Sequence, residues 1–188
     1  MATTYSRIQR QQLLQEVEGY LDLAMVLADQ YPLSIEARDR IALRALNTLD
    51  RLEKSTQESS VGLHLRGQAY RVLEQYDKAI PPLTAAKEAE PENIHILLAL
   101  GWCYKRLNKI DAAIQSLEDA LAVSPDEGII HYNLACYWSL AKNVPLALVY
   151  LSQSFDLEPE YRDQVANEPD FDPLRDHPEF VALTSVSV

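Results

Sequence analysis

The side chains with the strongest claim to chemistry are His64, His95 and His131, together with the thiols Cys103 and Cys136. Imidazole and thiolate are the usual zinc ligands, but a zinc centre needs three or four of them in fixed geometry. The chain has no CxxC pair, and its two cysteines lie far apart in sequence. Two such thiols do not make a disulfide framework either. Cys103 follows Trp102 and reads as a small apolar residue on a packed face. Cys136 reads as the more exposed of the two. Neither has the basic neighbours that mark a reactive thiolate.

Catalytic signatures are equally thin. There is no nucleophile elbow, phosphate loop, HExxH or glycine-rich turn. Carboxylates are numerous, but acidic pairs on helical surfaces are solvated charge, and none resembles a tuned acid–base pair. No catalytic residue, metal ligand or cofactor is assigned, and an enzyme is not expected. The closing Val186-Ser187-Val188 could add a strand to a PDZ-type domain. Three residues are too few to build on, and a frayed end is the default.

The bulk properties narrow the partners. Apolar residues make up 47% of the 188 positions, charged residues 24%, and only five are glycine. That mix favours helices around an ordinary globular core. A net charge of −11 repels nucleic acid and anionic membrane surfaces. Met1 to Gln12 is polar, with no apolar stretch of a secretory signal. No apolar run approaches the ~18 residues of a membrane span. These features lead to the expectation of a cytoplasmic protein.

The elements that must position these side chains come from a repeat. Aligned on itself, the chain recurs with a period of about 34 residues, a length within the range of helical-repeat units. Gly67 recurs as Gly101, Tyr70 as Tyr104, and Ala79 as Ala113 and Ala147. Leu83 recurs as Leu117 and Leu151, Ala86 as Ala120 and then Ser154, and Pro91 as Pro125 and Pro159. Small residues at Gly67, Gly101 and Ala135 let two helices approach. Bulky ones at Tyr70, Tyr104 and Trp138 fill the gap one turn later. The prolines end the second helix, because proline disfavours helix at the residue before it. Asp77 and Asp111 are expected to cap the start of that helix, and Pro145 to occupy its first position in the last repeat. Pro81-Pro82 should bend or delay it.

This pattern resembles the tetratricopeptide-repeat family, whose unit is a helix–turn–helix of about 34 residues. The middle repeat carries the resemblance best, through Leu97, Leu100, Gly101, Tyr104, Ala113, Leu117, Ala120 and Pro125. The family's first tryptophan is leucine here. The expected architecture is an all-α solenoid, a right-handed superhelix of antiparallel helix pairs forming a single domain. Its repeats fall at 60–93, 94–127 and 128–161. Residues 6–59 supply N-terminal helices with a degenerate repeat at about 14–57. A long helix over 6–30 buries Ile8, Leu13, Leu14, Val17, Leu21, Leu23 and Ala24 and ends at Tyr31-Pro32. A second helix over about 34–54 buries Ala42, Ala45, Leu46, Leu49 and Leu52. Residues 162–188 form a capping segment with a short helix, closed by Phe171, Leu174, Phe180 and Leu183.

The resemblance also implies a concave groove lined by the first helix of each repeat, where the family holds extended peptides or helices. Its lining would be Val61, His64, Leu65, Gln68, Arg71 and Val72, then His95, Leu98, Ala99, Trp102, Lys105 and Arg106. The third repeat adds Ile129, Tyr132, Asn133, Cys136, Ser139 and Leu140. Leu98, Trp102, Ile129 and Tyr132 make an apolar, aromatic patch, the kind that marks a binding surface. Arg71, Lys105 and Arg106 would suit a protein partner with an acidic flank. His64 and His95 could be neighbours in that groove, with Cys136 not far, but a metal needs three or four ligands in fixed geometry, and groove histidines usually serve in hydrogen bonding or packing. The positions that grip a chaperone's terminal carboxylate in one subclass hold His64, Gln68, Ala99, Ile129 and Asn133. Only Asn133 suits that role, so that clamp is absent. The expected function is a non-catalytic adaptor for a peptide or helix. Against partner binding, the leading helix or a second copy of the chain could cover the patch. The alternatives are a self-associating homo-oligomeric scaffold, made through the same patch or the end faces, and last an enzyme with an unfamiliar site.

Overall fold

The structure, a computed structural model, describes residues 5–25 and 33–185, and every regular element among them is helical. In order these are α1 (Arg7–Met25), α2 (Ile35–Asp50), α3 (Lys54–Gln57), α4 (Ser60–Val72) and α5 (Tyr76–Ala89). Then come α6 (Ile94–Arg106), α7 (Ile110–Val123), α8 (Gly128–Leu140) and α9 (Val144–Leu157). The chain closes with α10 (Tyr161–Val165), a 3-10 turn at Pro169–Leu174, and α11 (Pro178–Ser185). Two compact bodies divide it, residues 1–99 and 100–188, with the boundary inside α6.

Proline sets where the second helices stop. Glu90, Ser124 and Glu158 each precede one, and each leaves helical geometry, with φ between −133° and −139° and ψ between 73° and 94°. The ring of a following proline forces that change. The turn inside each pair is equally regular. Glu74, Asn108 and Lys142, which hold the same place in successive repeats, are left-handed, with φ of 56°, 56° and 59°. Around each, two backbone bonds close the preceding helix: Glu74 N–H to Arg71 O and Gln75 N–H to Tyr70 O, both 2.9 Å. Asn108 with Lys109, and Lys142 with Asn143, repeat the pattern. This is a Schellman closure, which normally uses glycine at the left-handed position.

Inside each body the small residues sit at the crossings. In the N-terminal body a methyl group at Gly67 would lie 2.4 Å from Leu83 Cγ, so α4 and α5 are as close as glycine allows. Ala79, Leu83 and Ala86 are fully buried on α5. Here α1 and α2 pack against each other and against α4. Their core joins Val17, Leu21 and Ala24 to Ala42, Ala45, Leu46, Leu49 and Leu52, and to Leu65, Ala69 and Val72. In the C-terminal body Gly101 approaches Leu117 and the Ala113 carbonyl less tightly, at 3.2–3.4 Å from the same hypothetical methyl. Ala135 and Ala147 are fully buried there.

Several expectations need correction. Asp77 and Asp111 do not cap: the cap residues are Gln75 and Lys109, with no side-chain bond, and the aspartates sit in the first turn. There a negative charge still favours the positive end of the helix dipole. Pro145 is the second residue of α9, and Asn143 caps that helix through Leu146 N–H. Pro81-Pro82 does not delay α5, which starts at Tyr76, the position equivalent to Ile110 at the start of α7. Leu13 and Leu14 are partly buried, but Ile8 and Leu23 are 69% and 41% exposed, on the far side of α1 from Val17 and Leu21. Ser6 starts α1 through reciprocal bonds with Gln9. The helix end expected at Tyr31-Pro32 lies outside the described residues.

Lys142 offers a direct test of the turn. It is exposed and left-handed, a conformation that costs an L-residue about 1–2 kcal/mol. Lys142→Gly should raise stability by about 1 kcal/mol in urea unfolding, since glycine's unfolded-state freedom offsets part of the gain. An unchanged or lower midpoint would contradict the turn geometry.

Candidate functional site

In the N-terminal body the spacing of α4 places His64, Gln68 and Arg71 along one face. They form a hydrogen-bonded ladder. The Arg71 guanidinium donates to the Gln68 side-chain carbonyl, and the Gln68 amide lies 2.9 Å from His64 Nε2. This order makes Nε2 an acceptor, so the ring proton belongs on Nδ1. Burial, aided by the nearby His95 and Arg71 and opposed by Glu90, holds the His64 pKa below the ordinary histidine value. His95 is exposed and Leu98 half-buried. Leu65 and Val72, expected in the lining, are instead buried with α1.

In the C-terminal body the chain folds back on its own expected surface. The 3-10 turn Pro169–Leu174 packs on α8. Tyr132 is 5% exposed, stacked on Tyr161 at 4.7 Å and met edge-on by Phe171 at 5.7 Å. Ser139 Oγ donates to the Asp170 carbonyl at 2.7 Å. Lys105 Nζ lies 2.6 Å from Asp170 Oδ2, with only 12% and 13% of the two side chains exposed. The same ammonium sits 4.7 Å over the Trp102 ring. Trp102 keeps 37% of its surface exposed. Ile129 is half-buried, and Asn133 gives its amide to the Ile129 carbonyl, 2.8 Å away.

Three site expectations are therefore corrected. Tyr132 and Cys136 are enclosed rather than open, because Phe171 and its neighbours cover α8. Lys105 is not a waiting cation, because Asp170 already holds it. Cys136 is only 2% exposed, and burial, with the Glu168 and Asp170 carboxylates, pushes its thiol well above the ordinary range. Burial and the Glu158 carboxylate likewise raise Tyr161 to about 12. Cys103 is fully buried, as expected of a core residue. His131 is buried too, bonded at 2.6 Å to the Pro125 carbonyl and at 3.1 Å to Gln153. The sequence reading overlooked Asp170 as the partner of Lys105; the acidic and aromatic string Asp170-Phe171-Asp172 was the available signal.

Cys136, Glu168 and Asp170 place one ligand-type atom each within 4.8 Å of the others. Lys105 supplies the positive charge there, at hydrogen-bond distance from Asp170, and burial with the two carboxylates raises the thiol's pKa. The group reads as an ion pair inside a packed turn, and no metal is assigned to it.

Residues 73–135 match the model of the tetratricopeptide repeat. Anaphase-promoting complex subunit 3 of Dictyostelium discoideum is 44% identical over 52 residues, 28% of this chain. Protein bimA of Emericella nidulans is 25% identical over 87 residues, 46% of this chain. The matched stretches span only 5% and 11% of those two proteins. Among solved structures, a crystal structure of MamA gives a TM-score of 0.60 at 14% identity, covering 86% of this chain and 99% of that one. A MamA structure of AMB-1 gives 0.59 at 22%, covering 86% and 96%. These likenesses show the helical-repeat fold.

The Lys105–Asp170 pair separates a structural charge from decorative ones. Asp170→Asn should lower stability by about 2–3 kcal/mol, because it leaves a nearly buried ammonium without its counter-charge. Asp172→Asn, whose pair with Arg175 is largely exposed, should change it by no more than about 0.5 kcal/mol. Chemical denaturation measures both; equal effects would remove the special role given to Asp170.

Proposed function

We propose that this tetratricopeptide-repeat protein is a non-catalytic adaptor that holds a segment of another protein on the exposed faces of its first helices. One observation carries the reading: Trp102 on α6 keeps 37% of its surface exposed. A partly exposed indole is the usual make-up of an interface anchor. Repeat stacks are built to present such faces. The matched repeat region supports the same reading, since helical repeats of this kind serve as recognition surfaces.

Other features agree. Among the described residues no helix is long and apolar enough to cross a membrane. The net charge of −11 disfavours nucleic acid as the partner. A cytoplasmic setting is part of the proposal. A second reading, self-association into a scaffold, is favoured by a different observation. Ile8, Leu23, Ile35 and Leu43 on α1 and α2 are 41–70% exposed. We further read residues 6–59 as N-terminal helices that include a degenerate repeat at about 14–57, and 162–188 as the cap of the last repeat.

Affinity capture from native cell extract, comparing wild type with Trp102→Ala, tests the adaptor reading. Loss of an anchor tryptophan should weaken the captured partner by at least about tenfold, as hot-spot truncations do, with helix content unchanged. Full capture by the variant removes α6 as the anchor. Light scattering over a concentration range tests the second reading: a tight oligomer supports it, and a monomer throughout ends it.

A further inference from the structure

The chain carries an occupant on its own repeat surface, and that occupant has a definite chemistry. The Asp170 carboxylate pairs with Lys105, the twelfth residue of the second repeat. The next residue, Phe171, is fully buried with its ring edge on Tyr132, the fifth residue of the third repeat. So an acidic residue followed by an aromatic one fits between position twelve of one repeat and position five of the next.

One repeat earlier the same positions hold Arg71 and Leu98. Both lie in the N-terminal body, and the chain's only copy of the Asp-Phe pair is already engaged on Lys105 and Tyr132. The chemistry at these places is retained: a cation at position twelve, and a large apolar side chain at position five. Arg71 is held in place by Gln68, which is held in turn by His64. A guanidinium so oriented suits a carboxylate better than a freely moving ammonium does. Net charge points the same way. The N-terminal body has 11 Lys and Arg against 14 Asp and Glu, net −3, whereas the C-terminal body has 6 against 14, net −8. An acidic segment meets less repulsion on the former.

Resting on the adaptor reading above, we propose that the partner segment carries an acidic residue followed by an aromatic one. Its carboxylate pairs with Arg71 and its ring packs on Leu98, as Asp170 and Phe171 do one repeat later. The ladder gives this contact a pH sense. His64 faces Gln68 and Arg71 on its own helix, and His95 and Glu90 beyond it. Protonating His64 would turn the acceptor of the ladder into a donor, which releases Gln68 and with it the orientation of Arg71.

The test uses the full chain and a synthetic peptide of residues 167–174, Asn-Glu-Pro-Asp-Phe-Asp-Pro-Leu. Fluorescence anisotropy should show saturable binding that weakens with salt. Arg71→Gln and Leu98→Ala should each reduce affinity roughly tenfold, the size expected for one charge-assisted or one apolar contact. Arg71→Lys should restore part of it. Peptides with the phenylalanine changed to alanine, or the preceding aspartate to asparagine, should bind as weakly. Thermal unfolding of each variant confirms that the fold is kept. Amide shifts in α4 and the first turns of α6 should accompany binding. Binding indifferent to Arg71→Gln and Leu98→Ala, or shifts confined to α8 and the 3-10 turn, would overturn the proposal. If no peptide binds while partner capture still depends on Trp102, the acidic–aromatic chemistry fails and the adaptor reading stands. If the peptide binds as described while capture ignores Trp102, the Arg71–Leu98 contact stands and α6 loses its role as the partner's main anchor.

Discussion

The structure depends on how closely two helices can approach at one small residue per repeat. Gly67 faces Leu83 with no room for a methyl group, and Gly101 faces Leu117 with little. Each contact lets a leucine enter the crossing and be wholly buried, as Leu83 and Leu117 are. Burial of a leucine contributes about 1.5–3 kcal/mol, and a wholly buried leucine recurs at the same place in every pair, at Leu83, Leu117 and Leu151. Proline then ends each second helix at a fixed distance, and a left-handed residue turns the chain between the two. With these three devices in register, the same side-chain positions return to the same face in every repeat. That is how a short chain can present a recurring surface from one repeat to the next.

The faces so produced are treated differently in the two bodies. On α8 the chain covers its own surface with Asp170 and Phe171. On α4 a polar ladder joins His64, Gln68 and Arg71. The covered face explains the burial of Tyr132 and Cys136, and it shows which side-chain chemistry these positions accept. The thiol expected to be the more accessible is of the least reactive kind, enclosed and flanked by carboxylates.

Much of the fold was legible because it is local. Gly67, Ala79, Leu83 and Pro91 each act within one helix pair, and their recurrence multiplied the signal. The left-handed turns were harder to read, since of Glu74, Asn108 and Lys142 only asparagine is a usual occupant of that conformation. The caps at Gln75 and Lys109 were missed because neither residue uses its side chain there. The site was legible in its positions but not in its exposure. Whether Tyr132 is open depends on Phe171, which lies beyond α9 and α10 in the chain, and no periodicity in α8 reports that contact. Leu65 and Val72 were misplaced for the same reason, since α1 covers them from outside the repeat.

Substituting Gly67 measures the central contact most directly. In an uncrowded helix, glycine to alanine stabilises by about 1 kcal/mol. Here Gly67→Ala should instead destabilise by about 1–3 kcal/mol in urea unfolding, because the added methyl collides with a leucine that cannot retreat. The double change with Leu83→Ala should cost less than the two single changes added together. A stability gain from Gly67→Ala alone would contradict the account, for it would mean that the two helices have room to spare where their closest approach has been placed.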